Sequence, residues 1–103
     1  MKDLFEEIKA IDKTSNKTVE KTVCKLLEET GELAQAVNMT IGMKSHNLTP
    51  EQIVDRIAEE TADAIQNLFC VAIKCGVPYE AIATWLPQKN EKWKKKIAEE
   101  GNE

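Results

Sequence analysis

The segment LLEETGEL at Leu26–Leu33 decides the fold, because it returns 31 residues later as IAEETADA at Ile57–Ala64. Each copy spaces its apolar residues as a helix does, and each carries two acids three positions apart. Residues three apart are neighbours on a helix surface. The repeat therefore predicts two matched helices, each presenting one acidic pair.

The acidic pairs are Glu29 with Glu32 and Glu60 with Asp63. Each residue turns a helix by about 100°, so both pairs fall on the same flank of their apolar stripes, partly turned toward the core. Helices packed through these stripes would bring four carboxylates together, and such a group repels itself unless a cation lies within it. Oxygen ligands of this kind favour a hard divalent cation, Mg²⁺ first.

Three further residues take their expected places from the same geometry. At the same rotation of about 100° per residue, Glu28 and Glu59 point toward solvent. Each is therefore expected to lie outside the set of metal ligands or on the surface. Asn67 lies four residues beyond Asp63 on the same flank, where it could orient a ligand or contact a substrate. The alternative is that all these acids are ordinary solvated surface charges. The basic residues that would neutralise them along the helix are few: Lys25 and Arg56, each four residues before a glutamate of the cluster.

Helical periodicity covers the rest of the chain, and no strand pattern occurs. We expect a first helix over 4–11, a second from 16–18 to Gly42, and a loop over 43–48. The apolar stripes predict the inward-facing residues of the two longer helices. They are Val19, Val23, Leu26, Thr30, Leu33, Val37 and Ile41 on the second, and Ile53, Ile57, Thr61, Ala64, Leu68 and Ala72 on the third.

The third helix has clear boundary signals. Thr49, Pro50 and Gln52 predict an N-terminal capping box, and Gly76 marks the stop after about residue 75. A fourth helix begins near residue 78. Pro87 is expected to break or kink it, because proline removes a helical N–H. Trp85 is expected in the core and residues 99–103 are expected to fray. The fold class is all-α, a four-helix bundle.

Length and composition limit the function classes. The 103 residues form one domain, 1–103, with a modest core that oligomerisation often completes. A net charge of −4 argues against a general binder of nucleic-acid polymers, and no stretch is apolar enough for a membrane span. Three cysteines without framework spacing and an acidic N-terminus predict a cytoplasmic protein with reduced thiols.

Other metal chemistry fits less well. A di-iron carboxylate bundle needs Glu-x-x-His on two helices, and His46 is the only histidine. The cysteines lack zinc-ligand spacing. The late stretch QKNEKWKKK, residues 88–96, is either a solvated basic helix end or a phosphate-binding surface beside the acids.

The order EExxE, a 27-residue spacer and ExxD resembles the signature of the MazG-like, all-α nucleoside triphosphate pyrophosphohydrolases. KLLEETGELAQAV is similar to the first metal helix of that family and EETADAIQNLFCVA to its second. A short last helix with K-N-x-K is also typical, and the resemblance covers about residues 16–96. Asn67 departs from the aromatic or aliphatic residue often found there, so base and sugar preference does not transfer through it.

The resemblance implies hydrolysis of a (deoxy)nucleoside triphosphate to the monophosphate and pyrophosphate, with Mg²⁺ or Mn²⁺ as a substitute. It implies a house-cleaning role and a homodimer or homotetramer. The metal ligands would be Glu29, Glu32, Glu60 and Asp63. Glu28 and Glu29 are the expected catalytic acids. The attacking water would be activated either by one of the carboxylates or by the metal. The expected substrate-binding residues are Asn67, Lys89, Asn90 and Lys92.

Two alternatives stay open. A phosphoribosyl-ATP pyrophosphohydrolase of histidine synthesis would share the fold and the acid pattern. A non-catalytic helical module for oligomerisation or regulation would carry the same acids as surface charge only.

Overall fold

The computed structural model describes residues 1–42 and 46–101, and every regular element in them is a helix. The four helices are α1 (Lys2–Asp12), α2 (Val19–Thr40), α3 (Pro50–Lys74) and α4 (Tyr79–Gly101). The expected all-α class is confirmed. The loop expected over 43–48 lies partly outside the described residues, and so does the end of the tail expected to fray, although helix continues to Gly101.

The helix boundaries follow the capping chemistry of the sequence. The Thr18 side chain accepts a hydrogen bond from the Lys21 N–H at the start of α2. At the start of α3, the Gln52 N–H donates to the Thr49 hydroxyl and the Thr49 N–H donates to the Gln52 side chain, so the expected capping box is confirmed. Gly76 follows α3 with a φ of 78°, in the left-handed region that glycine adopts without strain.

Helices α2 and α3 pack along their lengths as an antiparallel pair, and α1 packs on α3. The antiparallel order follows from the two ends of the pair. Thr22, early in α2, lines a cavity together with Asn67, late in α3, while Met39 and Ile53 line another at the opposite end. Phe5 of α1, only 1% exposed, closes the core edge-to-face on Phe69, with ring centroids 5.1 Å apart.

The connection between α1 and α2 is tied to the end of α3 by one lysine. Lys74 Nζ lies 2.8 Å from Asp12 Oδ1, and it donates a hydrogen bond to the Lys17 carbonyl oxygen at 2.8 Å. Both side chains of the Lys74–Asp12 pair are nearly buried. The pair therefore fixes how α1 sits on α3.

The buried face of α2 is not the apolar stripe that the periodicity predicted. Val37 and Ile41 are exposed on α2, and so is Leu68 on α3. The inward assignment was also wrong for Val23, Thr30 and Thr61. On α3 the assignment is confirmed for Ile53 and Ala64, which are buried. On α2 the buried face has instead moved to the acidic flank, through which α2 contacts α3.

The buried positions of α2 recur in α3 at the 31-residue interval of the sequence repeat. Three pairs of buried residues obey it: Thr22 and Ile53, Glu29 and Glu60, Ala36 and Asn67. The two helices thus turn equivalent faces to each other, as an antiparallel pair with an approximate two-fold axis does.

Helix α4 differs from expectation in continuity and in burial. Pro87 was expected to break or kink the helix. It lies inside an unbroken helix, so the break is wrong and the kink stays a prediction. The helix is exposed at Pro87, and water can satisfy the carbonyl that proline leaves unpaired. No residue of α4 is buried, and Trp85, expected in the core, is 59% exposed. The Cα radius of gyration is 16.9 Å, against about 13 Å for a compact chain of this length. One chain therefore does not close into the expected bundle.

None of the helices in the described part of the chain has both the length and the apolar character that a membrane crossing needs.

Candidate metal centre

The antiparallel packing of α2 on α3 brings acids of both repeats to one point. Glu29, Glu60 and Asp63 each offer a carboxylate oxygen, and these three atoms all lie within 4.8 Å of one another. Glu29 is 5% exposed and Glu60 8%. Three oxygen donors at this spacing, two of them buried, form a set that a hard divalent cation can bind.

Two oxygens in the cluster have no hydrogen-bond partner. Among the described residues, Glu29 Oε2 and Glu60 Oε2 are buried side-chain atoms that accept no hydrogen bond. Buried polar atoms are nearly always paired, and an unpaired charged oxygen is especially unfavourable. The observation fits a bound cation, since a metal ion satisfies such oxygens directly.

The electrostatics of the two glutamates differ. Burial raises the pKa of Glu60, and the neighbouring carboxylates of Glu32, Glu29 and Asp63 raise it further. The hydrogen bond from Lys25 lowers the pKa of Glu29. The negative charge of Glu60 is therefore less compensated than that of Glu29, and no ion pair of the described residues involves Glu60.

Neither Glu32 nor Glu28 is among the three acids whose oxygens lie within 4.8 Å of one another. Glu32 is nevertheless close enough for its carboxylate to raise the pKa of Glu60, after burial the largest cause of that shift. Glu28 is exposed, with its Oε1 3.6 Å from Lys25 Nζ. Glu28 therefore points outward, as expected. Its catalytic role stays a prediction.

Asn67 links the acids to a cavity. Its Nδ2 donates a hydrogen bond to the Asp63 carbonyl oxygen at 2.8 Å, and its side chain is buried between α2 and α3. The same side chain lines a cavity of about 190 Å³ between α1, α3 and the start of α2. Other polar residues on this cavity are Thr22, Gln66, Cys70, Lys74 and Asp12.

The expected phosphate-binding residues lie on α4. Lys89, Asn90 and Lys92 are all exposed, and no ion pair among the described residues joins Lys89 or Lys92 to an acid of the cluster. Lys89 Nζ instead lies 5.7 Å from the centre of the Trp85 ring. Within one chain, these residues are not brought to the carboxylates, and their substrate role stays a prediction.

The sequence indicated one of the two remaining parts of the site. Lys25 contacts Glu29 directly, as its spacing of four residues from that acid suggested. The cavity had no such signal. The cavity depends on how α1 docks, through the Lys74–Asp12 pair, and residues so far apart in the chain leave no periodic signal.

Comparisons of the chain with protein-family models, with curated proteins and with solved structures found no match.

Proposed function

We propose that this protein is a Mg²⁺-dependent nucleoside triphosphate pyrophosphohydrolase that clears unwanted nucleotides in the cytoplasm. One observation carries the proposal: two buried glutamates on paired helices each have an oxygen without a partner, and their carboxylates come within 4.8 Å of each other and of Asp63. The order of these acids along the chain, EExxE followed by ExxD, supports the same reaction.

The acids would hold the metal and handle the proton of the attacking water. Glu29, Glu32, Glu60 and Asp63 are the proposed ligands of Mg²⁺, with Mn²⁺ as a substitute. The ion supplies charge neutralisation for the phosphate oxygens and lowers the pKa of bound water. A carboxylate, with Glu28 and Glu29 as the candidates, would accept a water proton while the water oxygen bonds to the α-phosphorus. The bond from that phosphorus to the bridging oxygen breaks, and pyrophosphate leaves with the electron pair.

The cavity beside Asn67 offers a place for the nucleoside. It begins one helical turn beyond Asp63, so a substrate with its phosphates at the acids could extend its sugar and base along α3. A volume of 190 Å³ is below the roughly 300–1,000 Å³ that hold drug-sized ligands, so the cavity suits part of a nucleotide and not the whole. Asn67 keeps the substrate-binding role expected from its position.

A homodimer or homotetramer is part of the proposal. Helix α4 exposes Leu86, Trp93 and Ile97 as well as Trp85, while Leu68 is exposed on α3 and Ile41 directly after α2. Each of these side chains is more than half exposed, and exposed apolar patches often mark sites of protein–protein contact. A second copy covering these faces would complete the core, and it would also provide a way for the lysines of α4 to reach an acid cluster.

The decisive experiment measures pyrophosphate release from a panel of NTPs, dNTPs and phosphoribosyl-ATP, with Mg²⁺ and with EDTA. The variants are Glu60→Gln, which removes a proposed ligand, and Glu59→Gln, which removes the exposed acid next to it. We expect Mg²⁺-dependent release by the wild type and by Glu59→Gln, and none by folded Glu60→Gln. Preference for phosphoribosyl-ATP would assign the histidine-synthesis reaction instead. No release from any substrate, by folded protein with Mg²⁺, would favour the non-catalytic module.

A further inference from the structure

The two oxygens of the Glu29 carboxylate face different partners. Oε1 lies 3.0 Å from Lys25 Nζ, on the side where Lys25 also approaches Glu28. Oε2 is buried and accepts no hydrogen bond from the described residues. One carboxylate therefore has one oxygen bound by an ammonium and the other available to the acid cluster.

Helix stabilisation does not account for this contact. Lys25 and Glu29 are four residues apart, but a lysine placed before the glutamate is the less favourable order for a helical ion pair. The glutamate is also nearly buried, whereas ordinary pairs of this spacing lie on exposed helix faces. The position of Lys25 is better explained by what it does to the carboxylate.

The second repeat provides an internal comparison. Arg56 stands 31 residues after Lys25, four residues before Glu60, and so holds the equivalent position on α3. Arg56 is exposed, and none of the ion pairs of the described residues includes it. A basic residue four positions before the glutamate therefore does not always form an ion pair with it. Among the described residues, only the α2 side of the cluster has an ammonium bound to a carboxylate.

We propose that Lys25 is a positioning residue of the metal centre: by binding Oε1 of Glu29 it holds Oε2 toward Glu60 and Asp63 as a ready ligand for a divalent cation. This inference rests on the proposed function, because it requires that the cluster binds a metal. Carboxylate ligands are commonly held by hydrogen bonds from groups that do not touch the metal, and loss of such a partner typically weakens metal binding.

Lys25 could also act as a competitor of the metal, and that role predicts the opposite change in metal affinity. If its ammonium competed with the cation for the carboxylates, its removal would strengthen metal binding. The geometry favours positioning, because Lys25 binds Oε1 of Glu29 and leaves the buried Oε2 without a partner.

The test is the Kd for Mn²⁺, measured by titration calorimetry on the full chain after treatment with EDTA and its removal. Lys25→Met keeps most of the side-chain stem and removes the ammonium; Arg56→Met makes the matched change on α3. We expect Lys25→Met to raise the Kd about 10- to 100-fold. Arg56→Met should stay near the wild-type value, and Lys25→Arg, which keeps a cation at Oε1, should lie closer to the wild type than Lys25→Met does.

The outcomes separate the two proposals. If the wild type binds Mn²⁺ and Lys25→Met binds it equally well or more tightly, the positioning role is wrong and the metal centre stands. If the wild type binds no Mn²⁺, the metal centre itself is refuted, and the role of Lys25 with it. Circular dichroism melts in EDTA identify a variant that has lost its fold, and in that event Lys25→Gln replaces Lys25→Met in the comparison.

Discussion

Glu29 and Glu60 hold equivalent positions on two antiparallel helices, yet their carboxyl pKa values are shifted in opposite directions. Lys25 binds Glu29 and lowers its pKa, while burial and three neighbouring acids raise that of Glu60. Of these two glutamates, Glu60 is therefore the one whose negative charge is less compensated within the chain.

The first prediction concerns removal of that charge. Glu60→Gln keeps the shape of the side chain and relieves repulsion, so in EDTA its melting temperature should exceed that of the wild type by a few degrees. If Mg²⁺ binds the folded state through this cluster, as proposed, it should raise the wild-type melting temperature and should have much less effect on the variant. Thermal melts at fixed protein concentration, with and without Mg²⁺, measure both effects.

Glu59→Gln is the control for this prediction, because Glu59 is exposed and adjacent in sequence. It should match the wild type with and without Mg²⁺. A Glu60→Gln protein that melts well below the wild type in EDTA would show that the Glu60 charge is stabilising, and that the cluster does not repel itself.

The second prediction is a pH dependence. A carboxyl whose pKa is higher in the folded than in the unfolded state keeps its proton more readily when folded, so its deprotonation costs stability as pH rises. For Glu60 this loss begins near its ordinary value of 4.5 and continues up to the raised pKa. Glu29 acts in the other direction: its lowered pKa gives stability above 4.5 that is lost as pH falls.

The two contributions can be separated by comparing variants over pH. In EDTA, the stability of the wild type relative to Glu60→Gln should decrease as pH rises above 4.5, and urea unfolding at several pH values measures it. A difference that does not change with pH between 4.5 and 7 would contradict a raised pKa for Glu60.

The third prediction concerns Asn67. Asn67→Leu keeps a similar volume but removes the hydrogen bond to the Asp63 carbonyl and the polar group on the cavity. A neutral hydrogen bond contributes about 1 kcal/mol, so if this amide binds substrate we expect KM for the preferred nucleotide to rise roughly 5-fold. Steady-state kinetics give KM, and the Mn²⁺ Kd of the same variant should remain within about 2-fold of the wild type. A large loss of metal affinity with unchanged KM would instead make Asn67 a support for Asp63.

The fourth prediction concerns the tie between α1 and α3. Lys74→Met removes an ammonium that binds the Asp12 carboxylate and the Lys17 carbonyl, and both side chains of the ion pair are nearly buried. Hydrogen bonds to charged groups contribute about 1.5–3 kcal/mol, so the free energy of unfolding should fall by about 2 kcal/mol. Urea unfolding measures this loss.

A double-mutant cycle with Asp12→Asn isolates the pair. The double variant should lose clearly less stability than the sum of the two single losses, because the partners act together. Additive losses would mean that Lys74 stabilises the fold through its other contacts, the Lys17 carbonyl among them.

The sequence predicted those features that depend on local chemistry and on matched repeats. The Thr49 capping box is a short-range hydrogen-bond pattern, and the meeting of Glu29 with Glu60 follows from two helices whose acids share one phase. The buried face of α2 was misjudged because Val37 and Ile41 would need a cover that a single chain does not supply. The Lys74–Asp12 pair joins residues distant in sequence, and no local rule indicates it.

The approximate two-fold relation between α2 and α3 has an evolutionary consequence. Because each helix carries an acidic pair at the same place and buries three equivalent positions, a shorter ancestral chain with one such helix could have assembled an acid cluster by pairing with a second copy of itself. Duplication and fusion of that unit would produce the 31-residue repeat. It would also free each half to diverge, and Ala36 facing inward where the other half has Asn67 is one such divergence.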